Sequence, residues 1–152
     1  MTPTHVIKIA LIILSFYYAQ TKSQEIPSKK IFLLFEKNKG DYPYYRGLKF
    51  VNNKGVNFNL LNSAGFIHKN GYSRDTLPIC KLKNFPLTEE SEIRKKEQNW
   101  RKENENFLKK YFGGVWVLDR NGVFDPYIIE KIGDGKMVIY QVDFRNQGAI
   151  PN

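Results

Sequence analysis

Residues 88–112 constrain the fold more than any other part of the chain. Glu90 with Arg94, Glu92 with Lys96, Glu97 with Arg101 and Glu105 with Lys109 stand four apart, each with the acid first, the order that supports a helix best. Thr88 is placed to cap the first turn. Glu89, Glu90 and Glu92 face the positive end of the helix dipole, Lys109 and Lys110 the negative end, and Gly113 is placed to close the helix in a left-handed conformation. Read as one element, 88–112 is a helix about 37 Å long at 1.5 Å per residue. Its apolar stripe is narrow: Ile93, Trp100 and Phe107 recur every seven residues, and Leu108, Tyr111 and Phe112 widen it only near the C-terminal end. Such a stripe suits a helix laid on a sheet with its first half wet. The same spacing offers Ile93, Trp100 and Phe107 as a dimer face, although fewer than three heptads are present.

On either side of this helix the apolar residues follow strand patterns. Ile31 to Phe35 is a continuous apolar run of strand length, expected as a central strand buried on both faces. Asn52-Asn53-Lys54-Gly55 between 48–51 and 56–60 marks a hairpin, because Asn and Gly tolerate positive φ. Residues 65–68 read as a short strand. The segment 72–86, with Pro78, Pro86 and scattered Leu77, Ile79, Leu82 and Phe85, reads as a loop lying on the core. After the helix, 115–118, 127–132 and 137–144 are separated by the turn sequences Asp119-Arg120-Asn121-Gly122 and Gly133-Asp134-Gly135, which predicts a three-stranded meander. The expected fold class is α+β: antiparallel strands, with N-terminal hairpins and a C-terminal three-stranded meander, and one long central helix packed on the sheet.

The N-terminus carries a targeting signature. Lys8 precedes an eleven-residue apolar run, 9–19, and Thr21-Lys22-Ser23 offers a small-x-small cleavage site. A run of this length suits a signal peptide, whereas a membrane-spanning helix needs about 20 apolar residues. Residues 1–23 are therefore expected to be a cleaved leader and 24–152 a single domain, secreted or periplasmic and without a transmembrane anchor after cleavage. No cysteine follows the apolar run as a lipid attachment point, and Cys80, the chain's one cysteine, has no partner for an intramolecular disulfide. Burial is the ordinary expectation for such a thiol.

Of 24 basic and 15 acidic residues, Lys8 and Lys22 leave with the leader, so the expected mature chain carries 22 against 15, a net +7. The excess sits in the N-terminal half: 24–87 has 11 bases and 4 acids, 88–112 has 7 and 6, and 113–152 has 4 and 5. Such a field attracts anionic polymers. Tyr42, Tyr44 and Tyr45 beside Arg46, in a proline-containing loop, add aromatic contact area suited to a carbohydrate, base or protein surface. Together with Lys49 and Lys54 these residues make the candidate binding surface.

Catalytic possibilities are few, because His68 is the only histidine left once His5 is removed with the leader. Ser63, His68 and Asp75 supply the residue types of a triad, and Cys80 with His68 those of a thiol dyad, but neither has a recognisable motif spacing. Asp119, Asn121 and Asp125 around Gly122 resemble a calcium loop without its closing glutamate, and turn chemistry accounts for them. No metal or cofactor is expected. The leading functional expectation is a small exported non-catalytic binding protein of the cell envelope or exterior. The alternative is a small secreted hydrolase, nuclease-like, with His68 as acid, Glu130 as base and Arg74 or Lys69 on a phosphate. N-terminal sequencing of exported protein is expected to begin at Gln24; an intact Met1 would contradict the leader.

Overall fold

A computed structural model describes residues 28–37, 47–61, 64–116 and 118–145. Residues 1–23, expected to be a leader, and the Tyr42, Tyr44, Tyr45 and Arg46 cluster lie outside the described residues. The chain runs through β1 (Lys29–Phe35), β2 (Leu48–Asn52), β3 (Gly55–Asn59), β4 (Gly65–His68), β5 (Arg74–Pro78), α1 (Ile93–Glu103), α2 (Glu105–Phe112), α3 (Arg120–Val123), β6 (Phe124–Ile132), β7 (Lys136–Gln141) and β8 (Asp143–Phe144). Short 3-10 turns occupy Ile79–Asn84 and Glu90–Glu92. The class is α+β, with two four-stranded sheets ordered β1-β6-β7-β5 and β2-β3-β4-β8. All strand pairs are antiparallel except β1 with β6, which run parallel.

The first sheet is covered on both faces, which accounts for the continuous apolar runs of β1 and β6. Ile31, Leu33, Phe35, Ile128, Val138 and Tyr140 point into the main core, where they meet Phe58, Phe66 and Phe144 of the second sheet and Ile93, Trp100 and Leu108 of the helices. Ile129, Met137 and Ile139 point the other way and are covered by Leu77, Leu82 and Phe85. The segment 72–86 is therefore not a loop: it supplies edge strand β5 and the 3-10 turn that roofs this second core. Cys80 is exposed rather than buried, since Leu82 and Phe85 take the inward positions.

β1, expected as a central strand buried on both faces, is buried on one face and half-buried on the other and is an outer strand of its sheet. Its free side is partly closed by a bridge from Phe32 to Leu87 and by the Thr88 N–H, which donates to the Phe32 carbonyl at 2.7 Å. That bond takes Thr88 away from capping. Its hydroxyl instead accepts from Lys96 Nζ at 3.1 Å, and α1 begins at Ile93.

The expected single long helix is broken at Asn104. Its backbone lies outside the helical region at φ −107°, ψ 15°, and its side-chain Nδ2 donates to the Trp100 carbonyl at 2.8 Å. An asparagine that competes for helix carbonyls in this way favours an end over continuation. The break moves the third core position from Phe107, which is half-buried, to Leu108, which is fully buried. Ile93 and Trp100 are each 4% exposed in the chain's own core, so the stripe is spent internally and is not on offer as a dimer face. The acid-first pairs Glu92–Lys96, Glu97–Arg101 and Glu105–Lys109 form. Gly113 closes α2 at φ 74°, as expected.

The C-terminal meander is corrected as well. Residues 115 and 116 lie in a turn, Val117 is outside the described residues, and 120–123 form one turn of helix capped by Asp119, whose side chain accepts the Gly122 N–H at 3.0 Å. Asn121 reaches across to β8, accepting the Phe144 N–H at 2.6 Å. The residues that resemble a calcium loop are thus partnered within the fold. β6 and β7 form the predicted hairpin. The third segment divides at Val142, and β8 joins the other sheet beside β4.

Trp100→Ala is expected to destabilise the protein by roughly 3–5 kcal/mol, as removal of a large buried side chain does. The exposed Glu103→Ala is expected to stay near wild type. Chemical denaturation decides: equal midpoints for Trp100→Ala and wild type would place the indole outside the core.

Candidate functional site

The strand alternation of β7 turns Tyr140 toward the second sheet, and several polar residues gather on its ring. The phenol is 1% exposed. Lys49 from β2 donates to the Tyr140 hydroxyl at 3.2 Å and to Glu130 Oε2 of β6 at 2.5 Å, and the Tyr140 hydroxyl donates to the same Oε2 at 3.1 Å. The three groups close a triangle. Arg74 of β5 lies 5.1 Å from the ring centroid, and His68 of β4 meets it edge-on at 5.3 Å and 73°. Phe58 completes the surround at 5.0 Å. Burial pushes the Lys49 ammonium down, but the bonds to Glu130 and Tyr140 outweigh burial and hold its pKa above the usual lysine value.

His68 is positioned by the backbone. Its Nδ1 lies 2.8 Å from the Gln141 carbonyl; a carbonyl only accepts, so Nδ1 carries the proton and donates. Gly55 makes this close approach of β3 to β4 feasible. It sits at φ 138°, and a Cβ there would lie 2.1 Å from the His68 carbonyl oxygen. Beyond His68, Lys69 is ion-paired with Asp143, and Tyr72 donates to Asp143 Oδ2 at 2.8 Å. The Asp143 carboxylate raises the pKa of both Lys69 and Tyr72 through these hydrogen bonds.

The three residues of the hydrolase alternative, His68, Arg74 and Glu130, are therefore brought round one tyrosine. Their polar ends are directed differently: among the described residues no hydrogen bond or ion pair joins any two of them. Glu130 Oε2 is held by Lys49 and Tyr140, His68 Nδ1 by a main-chain carbonyl, and Arg74 by the face of the ring. Of the candidate binding residues, Lys54 is exposed at the β2–β3 turn and Lys49 is committed to the triangle. Asp75 pairs with Ile139 in the sheet, and Ser63 lies outside the described residues. Among the described residues no group of three or more His, Cys, Asp or Glu is placed to hold a metal. No helix of the described residues is long and apolar enough to cross a membrane.

Tyr140 and Asp143 escape sequence reasoning. Both read as ordinary residues of an alternating strand, and only the passage of this segment from one sheet to the other places them against Lys49, His68 and Lys69. The one available signal was the local crowding of basic residues in the N-terminal half.

A second ionic cluster sits beside Val115 and Leu118. Arg101, 3% exposed, donates to Glu97 Oε1 at 2.8 and 3.2 Å, to the Val115 carbonyl at 2.7 Å and to the Leu118 carbonyl at 2.7 Å. Arg120 holds Glu97 Oε2 at 2.8 Å. Burial pushes the Glu97 carboxyl up, yet the two arginines outweigh it and keep the pKa below the ordinary value. A depressed carboxyl stabilises the fold above its unfolded-state pKa, and that contribution is lost as pH falls through the folded value. Glu97→Gln is therefore expected to lower stability by about 3 kcal/mol at neutral pH, the low end for breaking a buried ion pair. The gap to wild type should close in denaturation curves below about pH 4, where glutamates protonate; a gap independent of pH would show that charge pairing is not what the cluster contributes.

Comparison of the chain with family models, with curated proteins and with solved structures yields no match in any of the three.

Proposed function

We propose that the protein is a small exported, non-catalytic binding protein of the cell envelope or exterior, and that the face around Tyr140 receives an anionic polymer. The observation that carries the reading is the convergence of Lys49, Arg74 and His68 on one buried phenol ring, with Lys54 and Lys69 alongside. Lys54 adjoins Gly55, whose backbone packs on His68 and Lys69. Four bases, Lys49, Lys54, Lys69 and Arg74, stand here against the two acids Glu130 and Asp143, so a positive surplus survives internal pairing. Lys49 contributes field, and the exposed Lys54, Lys69 and Arg74 contribute contacts. Tyr42, Tyr44, Tyr45 and Arg46, which precede β2 in the sequence, belong to the same proposed binding surface.

The hydrolase alternative draws on the same convergence, and two features weigh against it. An acid and a base must reach the same substrate atoms, whereas Glu130 is engaged by Lys49 and Tyr140 and His68 is held by the Gln141 carbonyl.

On a heparin column the protein is expected to elute later than a variant carrying Lys54→Ala, Lys69→Ala and Arg74→Ala, because each polymer charge neutralised releases counterions and binding falls steeply with salt. Equal elution, with equal denaturation midpoints, would make the positive charge a solubility feature and refute the reading. In RNA and ester hydrolysis assays wild type and His68→Ala should not differ; a loss of about a hundredfold or more, of the order that an acid-base group supplies, would replace the binding reading with the hydrolase.

A further inference from the structure

We infer that Trp116, with the groove beside it, forms a carbohydrate subsite that stacks a ring of a neutral glycan. Trp116 is 71% exposed, an unusual outlay of apolar surface for so large a side chain. The loop beneath it is nevertheless held firmly. Arg101 spends its donors on the carbonyls of Val115 and Leu118 and on Glu97, and its guanidinium stacks on the indole at 4.7 Å. A buried, doubly paired arginine under a loop fixes that loop, so the exposed ring is preorganised rather than left over.

Beside the ring lies a groove of about 410 Å³, lined by Gln98, Arg101, Lys102, Glu105, Val115 and Trp116. The volume falls within the roughly 300–1,000 Å³ of small-ligand sites. Gln98, Arg101 and Lys102 share one face of α1 and Glu105 opens α2 just past the break at Asn104, so the groove has a helical wall and an aromatic one. Its polar rim offers an amide that both donates and accepts, an ammonium that donates and a carboxylate that accepts. An apolar ring face bordered by hydroxyls that donate and accept is the ligand chemistry complementary to that set.

Charge selects among flat ligands. The Arg101 charge is matched by Glu97, and Glu105 is paired with Lys109 and feels Lys102, which with Lys109 holds its pKa below the ordinary value. Of the two cations lining the groove, Arg101 is spent on Glu97 and two carbonyls, which leaves Lys102. A single ammonium is little for phosphate recognition, which draws on a cationic surplus, and this favours an uncharged sugar over a nucleotide. The site uses α1, the start of α2 and residues 115–116, whereas the Tyr140 face uses β2, β4, β5, β6 and β7. The two readings therefore stand or fall separately.

The sequence contains two tryptophans, so a 15N-labelled sample gives two indole N–H signals, and Trp116→Phe assigns them. Cello-, chito-, malto- and xylohexaose are to be titrated into the full chain. At least one is expected to shift the Trp116 signal while leaving that of Trp100 in place, with an affinity unchanged by salt and by the Lys54, Lys69 and Arg74 substitutions. By calorimetry, which needs no indole reporter, Trp116→Ala should weaken it at least about tenfold, as loss of a central aromatic does, and Trp116→Phe less. Dispersion of the Trp100 signal reports that each variant is folded. The inference is overturned if no hexaose moves the Trp116 signal, if Trp116→Ala binds like wild type, if a single-stranded oligonucleotide shifts the indole in preference to every sugar, or if the signal moves only with protein concentration, which would put a second copy on the ring.

Discussion

The passage of one chain segment from sheet to sheet at residues 141–143 is the constraint on which the rest of the molecule depends. β7 completes the first sheet between β6 and β5, Val142 donates its N–H to the Pro126 carbonyl, and β8 then pairs with β4 in the second sheet. Neither sheet buries its inner face without the other. Phe58 and Phe66 on one and Ile128, Val138 and Tyr140 on the other are all 2% exposed or less, and a pair of faces in this state is worth far more than the hydrogen bonds of the crossing itself. The crossing fixes where the two faces meet. Arg145 donates its N–H to Gly65, and Asn121 clamps Phe144 from α3, so the short β8 is held from both sides.

The same crossing sets up the polar chemistry of the Tyr140 face. Tyr140, Gln141 and Asp143 are near neighbours in sequence, yet they engage Lys49 and Glu130, His68, and Lys69 and Tyr72 respectively. A buried phenol must satisfy its hydroxyl, and the Lys49–Glu130 pair does so while losing only part of its own hydration. The outcome is an apolar ring with cations round it, an arrangement that favours holding negative charge over moving protons.

At the opposite wall of the core an arginine takes the place of apolar packing. Val115 and Leu118 present main-chain carbonyls outside either sheet. Arg101 supplies the missing donors to Val115 and Leu118, and Glu97 balances its charge. The desolvation of this pair is offset only because nearly every donor and acceptor is used. It is also the reason that Trp116 is displayed outward, against a guanidinium, instead of joining Trp100 inside.

Composition and periodicity by themselves determined the α+β class, the hairpin at 52–55, the 65–68 strand, the helical region with its Gly113 stop and its acid-first ion pairs, since each rests on neighbours within a few residues. His68, as the one histidine left beyond the expected leader, was singled out with Arg74 and Glu130 for the hydrolase alternative, by elimination and not by geometry. What lay beyond the sequence depended on contacts between distant segments. Asn104 ends a helix whose charge pattern would carry it onward, Thr88 gives up a cap to close the edge of β1, and 115–116 turns under Arg101 although its residues suit a strand. The second sheet captures 143–144 because Phe144 is buried between Phe66 and Phe124, and that burial outweighs the pull of a continuous third strand. Local propensities amount to fractions of a kcal/mol per residue, and a buried aromatic to several times that, so only the tertiary structure decided where the strands divide and which residues surround Tyr140 and Trp116.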